Sequence, residues 1–276
     1  GVVAQSVAGG GGLAGFYNPH GITNNEIVNA LFNTFVDTDA GLSFAGSVGG
    51  AGTAGDIIVN HTGNIQTLGD GAHGLFAQSA AGTGAAGNID ITLDGNIYTS
   101  GDHAYGIFAQ SGGPGGNGDI TLTLNEGVVM GGYGMGAGLF IGAGNENSIW
   151  NEGLITSIPG IHGNAIIASG GNDFVENYGT VTGSVHLGLG ANSFFNYGLV
   201  NAGANLDMGV NNLLLNAGDF APGGAMNVYT TNVLGDFDQT DVGKLWFDLV
   251  FDFGQDEWDY LAVDGVSTLN GTLGLV

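Results

Sequence analysis

The chain has 276 residues, of which 57 are glycine and none is cysteine, and it sets 25 Asp and Glu residues against a single basic residue, Lys244, for a formal net charge of −24. This charge repels phosphate backbones and anionic lipid surfaces, so we expect no nucleic-acid binding and no docking on anionic membranes. No apolar run reaches the roughly 18 residues of a membrane helix, so we expect no direct membrane insertion of this segment. The lack of cysteine excludes disulfides and cysteine-based zinc sites, while a hydrophobic content of 43% indicates a folded core.

Residues 1–56 form the least regular part of the sequence, a glycine-rich segment that begins without a Met and is interpreted as starting within a longer, processed protein. Val3–Ser6 (VAQS) matches the end of a unit that recurs later as FAQS. After the glycine run 9–12, Asn24 or Asn25 is placed to cap a short helix over 26–35, and an irregular strand and turn fits this stretch equally well. The repeat restarts at Asp56.

A 32-residue repeat organises the next part of the chain. Residues 63–95 read GNIQTLGDGAHGLFAQSAAGTGAAGNIDITLDG and residues 95–127 read GNIYTSGDHAYGIFAQSGGPGGNGDITLTLNEG. Shorter versions follow, and we index them by one glycine in each, at spacings of 32, 32, 26, 26, 19 and 20 residues. These reference glycines are Gly63, Gly95, Gly127, Gly153, Gly179, Gly198 and Gly218. A constant element with variable loops is typical of a solenoid.

An apolar residue stands two positions after every reference glycine: Ile65, Ile97, Val129, Ile155, Val181, Val200 and Phe220. An asparagine stands two positions before the last five: Asn125, Asn151, Asn177, Asn196 and Asn216. Apolar residues alternate with polar ones at period two, as in Ile89, Ile91 and Leu93, which favours strands over helices. We therefore predict an all-β chain that folds as a right-handed parallel β-helix over residues 57–220, with inward apolar ladders, an asparagine ladder and glycine corners of positive φ.

The sequence pattern changes in residues 221–276, for which we predict a C-terminal β cap. Residues 245–253 (LWFDLVFDF) alternate as one strand, Tyr260–Gly265 forms a second, and Leu269, Leu273 and Leu275 mark a third. Such a unit would cover the open end of the solenoid, whose edge would otherwise aggregate.

These residues resemble the passenger region of bacterial autotransporters, surface proteins secreted through their own outer-membrane barrel. The similar segments are HGLFAQS, YGIFAQS and GNDFVENYGTVTGSVHLGLGANSFFNYG, together with residues 236–276, which resemble the family's C-terminal stabilising cap, or autochaperone. The resemblance covers about residues 40–276 and stops before the barrel. It implies a β-helical passenger at the cell surface of a Gram-negative bacterium, with the parent chain anchored in the outer membrane.

Several polar residues are candidate sites, and for each of them a structural role is the favoured interpretation. Asp70 and Asp102 share one repeat position, as do Gln78 and Gln110; they fit turn hydrogen bonding better than a cation or sugar ladder. Residues 170–174 (GGNDF) faintly resemble a calcium-binding nonapeptide, but the motif is not reiterated. A cluster of acidic residues near the C-terminus fits a solvated face better than a Ca²⁺ site: Asp236, Asp238, Asp241, Asp256, Glu257 and Asp259.

The remaining candidates are histidines and tryptophans. No two histidines stand at metal-ligand spacing among His20, His61, His73, His103, His162 and His186. Packing is the favoured role of Trp150, Trp246 and Trp258, with sugar stacking as the alternative. We accordingly predict no catalytic, cofactor-binding or metal-binding residue and no cofactor, with calcium as the one alternative.

Three functions are compatible with these sequence features. The favoured one is a non-enzymatic extracellular structural or adhesion protein, a rigid stalk or filament whose partners are itself, end-to-end or laterally, or surface glycans or proteins. The alternatives are a carbohydrate-binding β-helix and a polysaccharide-degrading enzyme. An enzyme acting on acidic sugars would need a basic residue, which this chain has only at Lys244, and no carboxylate pair for a neutral glycan stands out. The long FAQSGGPGGNG loop side of the first repeats is the predicted place for a specific contact.

Overall fold

The structure is a computed structural model that describes residues 1–8, 49–251 and 257–276. The glycine run 9–12 and the possible helix over 26–35 lie outside the described residues, whereas the restart of the repeat at Asp56 lies within them. In the described part, the chain winds as a solenoid with three strand positions in each coil, and the second position alone builds a 9-stranded sheet, one strand from each of nine coils.

Each of the first four coils holds three separate strands. Coil 1 holds β1 (Val2–Val7), β2 (Ile57–Thr62) and β3 (Ile65–Thr67); coil 2 holds β4 (Leu75–Ala80), β5 (Ile89–Asp94) and β6 (Ile97–Thr99); coil 3 holds β7 (Ile107–Gly112), β8 (Ile120–Leu124) and β9 (Val128–Gly131); coil 4 holds β10 (Ala137–Ala143), β11 (Glu146–Asn151) and β12 (Leu154–Ser157).

The later coils are tighter, and two of their strands continue around a corner from one coil into the next. Coils 5 to 7 hold β13 (Asn164–Ala168), β14 (Asn172–Asn177), β15 (Thr180–His186), β16 (Ser193–Asn196), β17 (Leu199–Asp207), β18 (Leu213–Asn216) and β19 (Asp219–Pro222), with a single 3-10 turn at Gly160–His162 before β13. Coil 8 holds β20 (Thr230–Leu234), β21 (Asp236–Gln239) and β22 (Lys244–Phe247). Coil 9 holds β25 (Tyr260–Asp264), β26 (Ser267–Leu269) and β27 (Thr272–Leu275), after the short strands β23 (Leu249–Val250) and β24 (Glu257–Trp258).

Every coil-to-coil pairing is parallel, which confirms the predicted all-β solenoid of stacked strands. The first and third positions join into a 16-stranded sheet because β15 and β17 span the corner between them. The pair β23–β24 is antiparallel and stands apart from the two large sheets. Parallel stacking lets identical positions of successive coils face one another, so one position of the sequence becomes a ladder along the axis.

The predicted apolar ladder runs in register through the third strand position. Ile65 pairs with Ile97, and the series continues through Val129, Ile155, Val181, Val200 and Phe220 to Leu245. All of these side chains are buried and belong to one core cluster. Burial of each aliphatic or aromatic side chain of this kind contributes about 1.5–3 kcal/mol to the free energy of folding. The core is therefore stabilised by similar contributions from every coil.

The reference glycines also stack on one another, but the prediction that all of them form corners of positive φ is only partly right. Gly63, Gly95 and Gly127 have positive φ angles of 101°, 154° and 114°, whereas the reference glycines of the shorter coils do not adopt a left-handed conformation. At Gly179, for example, a Cβ atom would clash with the backbone carbonyl of Gly153 in the coil below. Close approach of two backbones, and not corner geometry, therefore requires glycine in the shorter coils.

The loop side of the long repeats also differs from the prediction. The FAQS motif is not part of a loop, because Leu75–Ala80 and Ile107–Gly112 are strands that are buried on both faces. The hydroxyl of Ser79 accepts from the amide of Gly87 at 2.8 Å and donates to the carbonyl of Gly55 at 3.0 Å. The motif thus anchors the glycine-rich runs to the solenoid.

Residues 221–276 contain two further coils as well as the β23–β24 pair. Where a single strand is predicted over residues 245–253, the structure has two, β22 and β23. Residues 252 and 253 of that prediction lie outside the described residues. The predicted second strand matches Tyr260–Asp264, and the third is two strands, Ser267–Leu269 and Thr272–Leu275, on two sides of coil 9. The C-terminal β unit therefore continues the parallel ladders of the solenoid.

Candidate functional site

The largest array of polar side chains is a buried amide ladder in the second strand position. The side-chain amide of Asn151 donates to Asn177 at 2.7 Å, Asn177 donates to Asn196 at 2.8 Å, and Asn196 donates to Asn216 at 2.8 Å. All four asparagines are fully buried. The ladder ends at Gln239, whose amide donates to the carbonyl of Asn270 at 2.6 Å.

The prediction that Asn125 belongs to this ladder is wrong. Asn151 pairs with Leu124, so Asn125 lies one residue beyond the ladder position. The corner after the second strand is one residue longer in coil 3 than in coil 4, because Leu124 stands three residues before Gly127 whereas Asn151 stands two residues before Gly153. In coils 2 and 3 the ladder position holds Leu93 and Leu124, which are buried.

A second ladder joins three glutamines of the FAQS and VAQS motifs. The amide of Gln5 donates to Gln78 and that of Gln78 donates to Gln110, both at 2.7 Å. Gln78 and Gln110 are buried, so a cation or sugar on the surface has no access to them. The pairing of Gln5 with Gln78 and of Ser6 with Ser79 confirms that VAQS is an earlier copy of the same unit.

Asp70 and Asp102 keep the structural role that was favoured for them. The backbone amide of Asp102 donates to the Asp70 carboxylate at 2.9 Å, and both side chains lie on exposed turns. The bond links the turn of coil 2 to the turn of coil 3, which is the side-chain-to-backbone chemistry expected of aspartate in turns.

Asp173 is the most unusual ionisable group in the described chain. It is 1% exposed and occupies a ladder position between Asn147 and Asn192. Its Oδ1 accepts from the Asn147 amide at 2.8 Å, its backbone amide donates to Asn192 at 3.0 Å, and its Oδ2 has no hydrogen-bond partner among the described residues. Burial raises the pKa of the Asp173 carboxyl to about 7, and the hydrogen bond from Asn147 opposes that rise. The GGNDF motif thus places its aspartate inside the amide stack.

The acidic residues near the C-terminus do not form one cluster, and each has its own surroundings. Asp236 accepts from the backbone amide of Val266 at 2.7 Å, Glu257 is exposed in β24, and Asp256 lies outside the described residues. Asp259 is 4% exposed and accepts from the amides of Tyr229 and Asp248, both at 2.7 Å. Burial raises the pKa of Asp259, and these backbone bonds oppose the rise.

Sequence reasoning missed the partner of Asp259. Asp248 is also buried, and its carboxylate accepts from the backbone amide of Asn227 at 2.8 Å. The two carboxylates fasten residues 227–229 to the strands that precede coil 9. A buried aspartate in an alternating apolar strand was the available signal, since such a residue needs hydrogen-bond donors in the fold.

The described histidines do not converge on a common point. His73 stacks in a column of rings with Phe76, Phe108 and Tyr105, and His162 contacts Tyr229. His186 lines a shallow groove with Asp207 and Asp264, and burial lowers its pKa although Asp207 opposes this. Within residues 1–8, 49–251 and 257–276, no group of three His, Asp or Glu side chains is placed to hold a metal ion. His20 lies outside these ranges.

The three tryptophans have different surroundings. The ring of Trp150 packs at a tilt against Tyr178 at a ring-centroid distance of 4.4 Å, and Tyr178 stacks on Tyr197 at 4.8 Å. Trp150 therefore packs in a column of aromatic rings along the solenoid. Trp246 donates to the Asp219 carboxylate at 2.7 Å and lines a cavity of about 240 Å³ together with Asp248. Trp258 is 59% exposed.

Comparisons with known proteins give no relative: no family model, no curated protein and no solved structure matches this chain. The helices of the described residues include none long and apolar enough to cross a membrane.

Proposed function

We propose that the chain is a non-enzymatic extracellular structural or adhesion protein, a rigid β-helical stalk of the kind displayed by autotransporter passengers. One observation carries the proposal: the four fully buried asparagines of the second strand position, Asn151, Asn177, Asn196 and Asn216, are hydrogen-bonded to one another from coil to coil. Such bonds fix the stack along its axis. An enzyme would instead hold polar groups free to meet a substrate in a cleft.

The surface chemistry is consistent with display outside a cell. A chain with no cysteine and a single basic residue needs no oxidising environment to fold and offers trypsin-like proteases one cleavage site. On this proposal, the parent protein is anchored in the outer membrane of a Gram-negative bacterium, and its partners are other copies, surface glycans or surface proteins.

Display of the chain on bacteria tests this function. The chain is fused to an unrelated outer-membrane anchor, and we expect the cells to settle together or to adhere to glycan- or protein-coated surfaces more than cells carrying the anchor alone. Purified chain incubated with polysaccharides should release no reducing sugar. Sugar release without adhesion or settling would overturn the proposal.

Carbohydrate binding is the second candidate because of one exposed pair of aromatic rings. Trp258 and Tyr260 are 59% and 56% exposed and stand two residues apart, beside Glu257. Exposed ring faces next to a hydrogen-bonding carboxylate suit a sugar. Trp258→Ala should abolish binding on a glycan array, whereas Trp150→Ala should not; binding that survives Trp258→Ala would exclude this pair as the site.

A further inference from the structure

The outer face of the second strand position changes its chemistry along the solenoid. Residues of a strand alternate between the core and the outside. In coils 2 and 3 the outward residues are polar: Asp90, Thr92, Thr121 and Thr123. In coils 4 to 7 most of the outward residues, and two residues at the corner that follows, are aromatic or aliphatic. We call these seven residues the aromatic strip: Trp150, Phe174, Tyr178, Phe195, Tyr197, Leu213 and Leu215.

The aromatic strip lies on the surface of the described chain. Tyr178 and Tyr197 are 43% and 42% exposed, and the other five side chains are half-buried. Coil 8 ends the strip, because its outward residues at these positions are Asp236 and Asp238. Residues 9–48 stand between β1 and β2 in the chain, so both of their ends are at coil 1 and not at the strip. An apolar surface rimmed by polar residues marks a place of interaction.

A carboxylate stands in the middle of the aromatic strip. Glu176 is an outward residue of β14, and it pairs with Trp150 in coil 4 and with Phe195 in coil 6. Desolvation raises the pKa of the Tyr178 hydroxyl and the charge of Glu176 raises it further, so this carboxylate also lies near the tyrosine. Glu152 accepts from the Trp150 indole at 3.2 Å at the corner. The strip therefore combines aromatic rings with two negative charges.

The chain has no Lys or Arg of its own to pair with these two carboxylates. Its single basic residue, Lys244, lies in the third strand position of coil 8, where its ammonium group is 3.6 Å from the Asp219 carboxylate. Aromatic rings attract a cation to their faces, and a guanidinium group can stack on a ring while it binds a carboxylate. A cationic side chain from another molecule therefore fits both the rings and the charges of the strip.

Size and charge argue against a second copy of the chain as the partner. Coils lie about 4.8 Å apart, so the strip is about 14 Å long from coil 4 to coil 7 and covers on the order of 200 Å². A stable dimer buries about 800 Å² from each partner. Two copies would also bring Glu152 and Glu176 of both molecules together, and each molecule carries a net charge of −24.

We propose that the aromatic strip is the docking surface for a basic polypeptide, which lies along the solenoid axis in an extended conformation and places Arg or Lys side chains over the rings and beside Glu176. This inference rests on the proposed adhesion function and names the chemistry of the partner. At about 3.3 Å per residue, roughly four extended residues span the strip. Since every second side chain points to one side, a segment of the pattern Arg-x-Arg presents its cations to the rings.

Binding of short peptides tests the proposal. The probes are a fluorescent peptide of alternating Arg and Ser and a neutral counterpart in which Gln replaces Arg. Each is titrated with the purified chain at about 150 mM NaCl, where general attraction between charges is largely screened, and binding is followed by fluorescence anisotropy. We expect the Arg–Ser peptide to bind and the Gln–Ser peptide not to bind. Equal affinity for the two peptides would overturn a cationic partner.

Two charge variants separate the strip from general attraction to an acidic protein. Glu176→Gln and Asp90→Asn each remove one negative charge from the outer face of the same sheet, but only Glu176 pairs with aromatic residues on both sides. Glu176→Gln should weaken binding of the Arg–Ser peptide by about 3- to 30-fold, and Asp90→Asn by less than about twofold. Equal losses in the two variants would show attraction to the net charge alone and would overturn the docking surface.

A pair of ring variants tests the aromatic part of the surface. Trp150→Ala removes a ring of the strip without a change of charge, and Tyr98→Ala removes one from β6 in the third strand position, where Tyr98 is 39% exposed. The first should weaken binding of the Arg–Ser peptide by about 3- to 30-fold and the second should leave it unchanged. Circular dichroism confirms that the variants fold, and Glu176→Gln keeps the test decisive if Trp150→Ala does not.

Two results would refute the docking surface. The first is binding of the Arg–Ser peptide that is unchanged in a folded Trp150→Ala chain. The second is self-association of the chain that Trp150→Ala abolishes, which would identify a second copy as the occupant. Adhesion of displayed cells that is unchanged by Glu176→Gln would leave the proposed function standing while this surface fails. Loss of adhesion in the unaltered chain would instead refute the function itself.

Discussion

Asp173 differs most clearly from its neighbours in the ladder, because it is a carboxylic acid between two amides. Its neighbours along the axis, Asn147 and Asn192, are neutral amides, and a carboxylate in the same buried position must either lose its charge or pay for desolvation. The pKa of about 7 shows that the carboxyl is largely neutral in the folded chain at mildly acidic pH.

Asp173 should therefore make the fold more stable in acid. The pKa is 3.8 in the unfolded chain and about 7 in the folded one, so the folded chain binds the proton more tightly. The stabilisation is complete below about pH 4 and is lost as the pH rises through 7, by up to about 4 kcal/mol. Asp173→Asn should remove this dependence, and urea unfolding at pH 4 and pH 8 measures it.

The matched control is Asp90→Asn, which removes the same charge from an exposed position of β5. It should leave the difference between the two pH values close to that of the unaltered chain. If Asp173→Asn unfolds with the same pH dependence as Asp90→Asn, the carboxyl of Asp173 is ionised in the folded protein and the explanation fails.

The reference glycines of the short coils give a second prediction for single residues. Gly179→Ala should cost about 2 kcal/mol or more, because its Cβ would meet backbone atoms of the coil below and not a movable side chain. Gly69→Ala meets only an ordinary contact with the Ala72 side chain at 3.7 Å and should change stability by less than about 0.5 kcal/mol. Thermal unfolding of both variants checks the comparison; equal losses would mean that close stacking does not select these glycines.

At the level of the strand and its ladder, the amide column fixes how one coil sits on the next. Asn196 accepts from Asn177, donates to Asn216 and also donates to the carbonyl of Asp219 at 3.0 Å. Asn196→Ala would leave these buried partners unsatisfied and should lower the free energy of unfolding by about 2–4 kcal/mol.

The exposed amide pair Asn64 and Asn96 provides the comparison, since the Asn96 amide donates to Asn64 at 2.8 Å in contact with solvent. Asn64→Ala should cost less than about 1 kcal/mol because water replaces the lost bond. Chemical denaturation of the two variants measures the difference. An Asn196→Ala chain as stable as Asn64→Ala would show that the buried ladder contributes little.

The ladders also show what the sequence can and cannot predict. The register of Ile65, Ile97 and Val129 followed from glycine spacing alone, because parallel stacking turns a repeated position into a contact. Asn125 was misplaced because the corner of coil 3 holds one residue more between the second strand and Gly127 than the corner of coil 4 holds before Gly153, and counting back from the glycine does not reveal it. The burial of both faces of the FAQS strands depends on how the glycine-rich runs fold back, which no local pattern encodes.

For the whole molecule, the net charge affects how stable the fold is in solution. With one basic residue against 25 acidic ones, the folded chain carries strong self-repulsion. The melting temperature should therefore rise between about 10 mM and about 300 mM NaCl. Calorimetry at a protein concentration too low for association measures the effect, and a melting temperature that falls with salt would contradict it.

The C-terminal coils are predicted to be necessary for folding. A chain ending at residue 220 would expose Phe220 and Leu214, which are fully buried in the intact solenoid, together with fresh strand edges. We expect aggregation or loss of a cooperative transition, observed by light scattering during expression and by circular dichroism on heating. A soluble truncated chain with a sharp transition would show that residues 221–276 are dispensable.

The central claim is that the chain is one continuous rigid stack. Native-state hydrogen exchange followed by mass spectrometry tests it most directly. A rigid stack should make peptides from residues 89–222 exchange slowly and together, because each coil there is paired on both sides. Peptides from 260–275 should exchange faster, because among the described residues their strands pair with coil 8 alone. Fast exchange in blocks within residues 89–222 would contradict a rigid stalk.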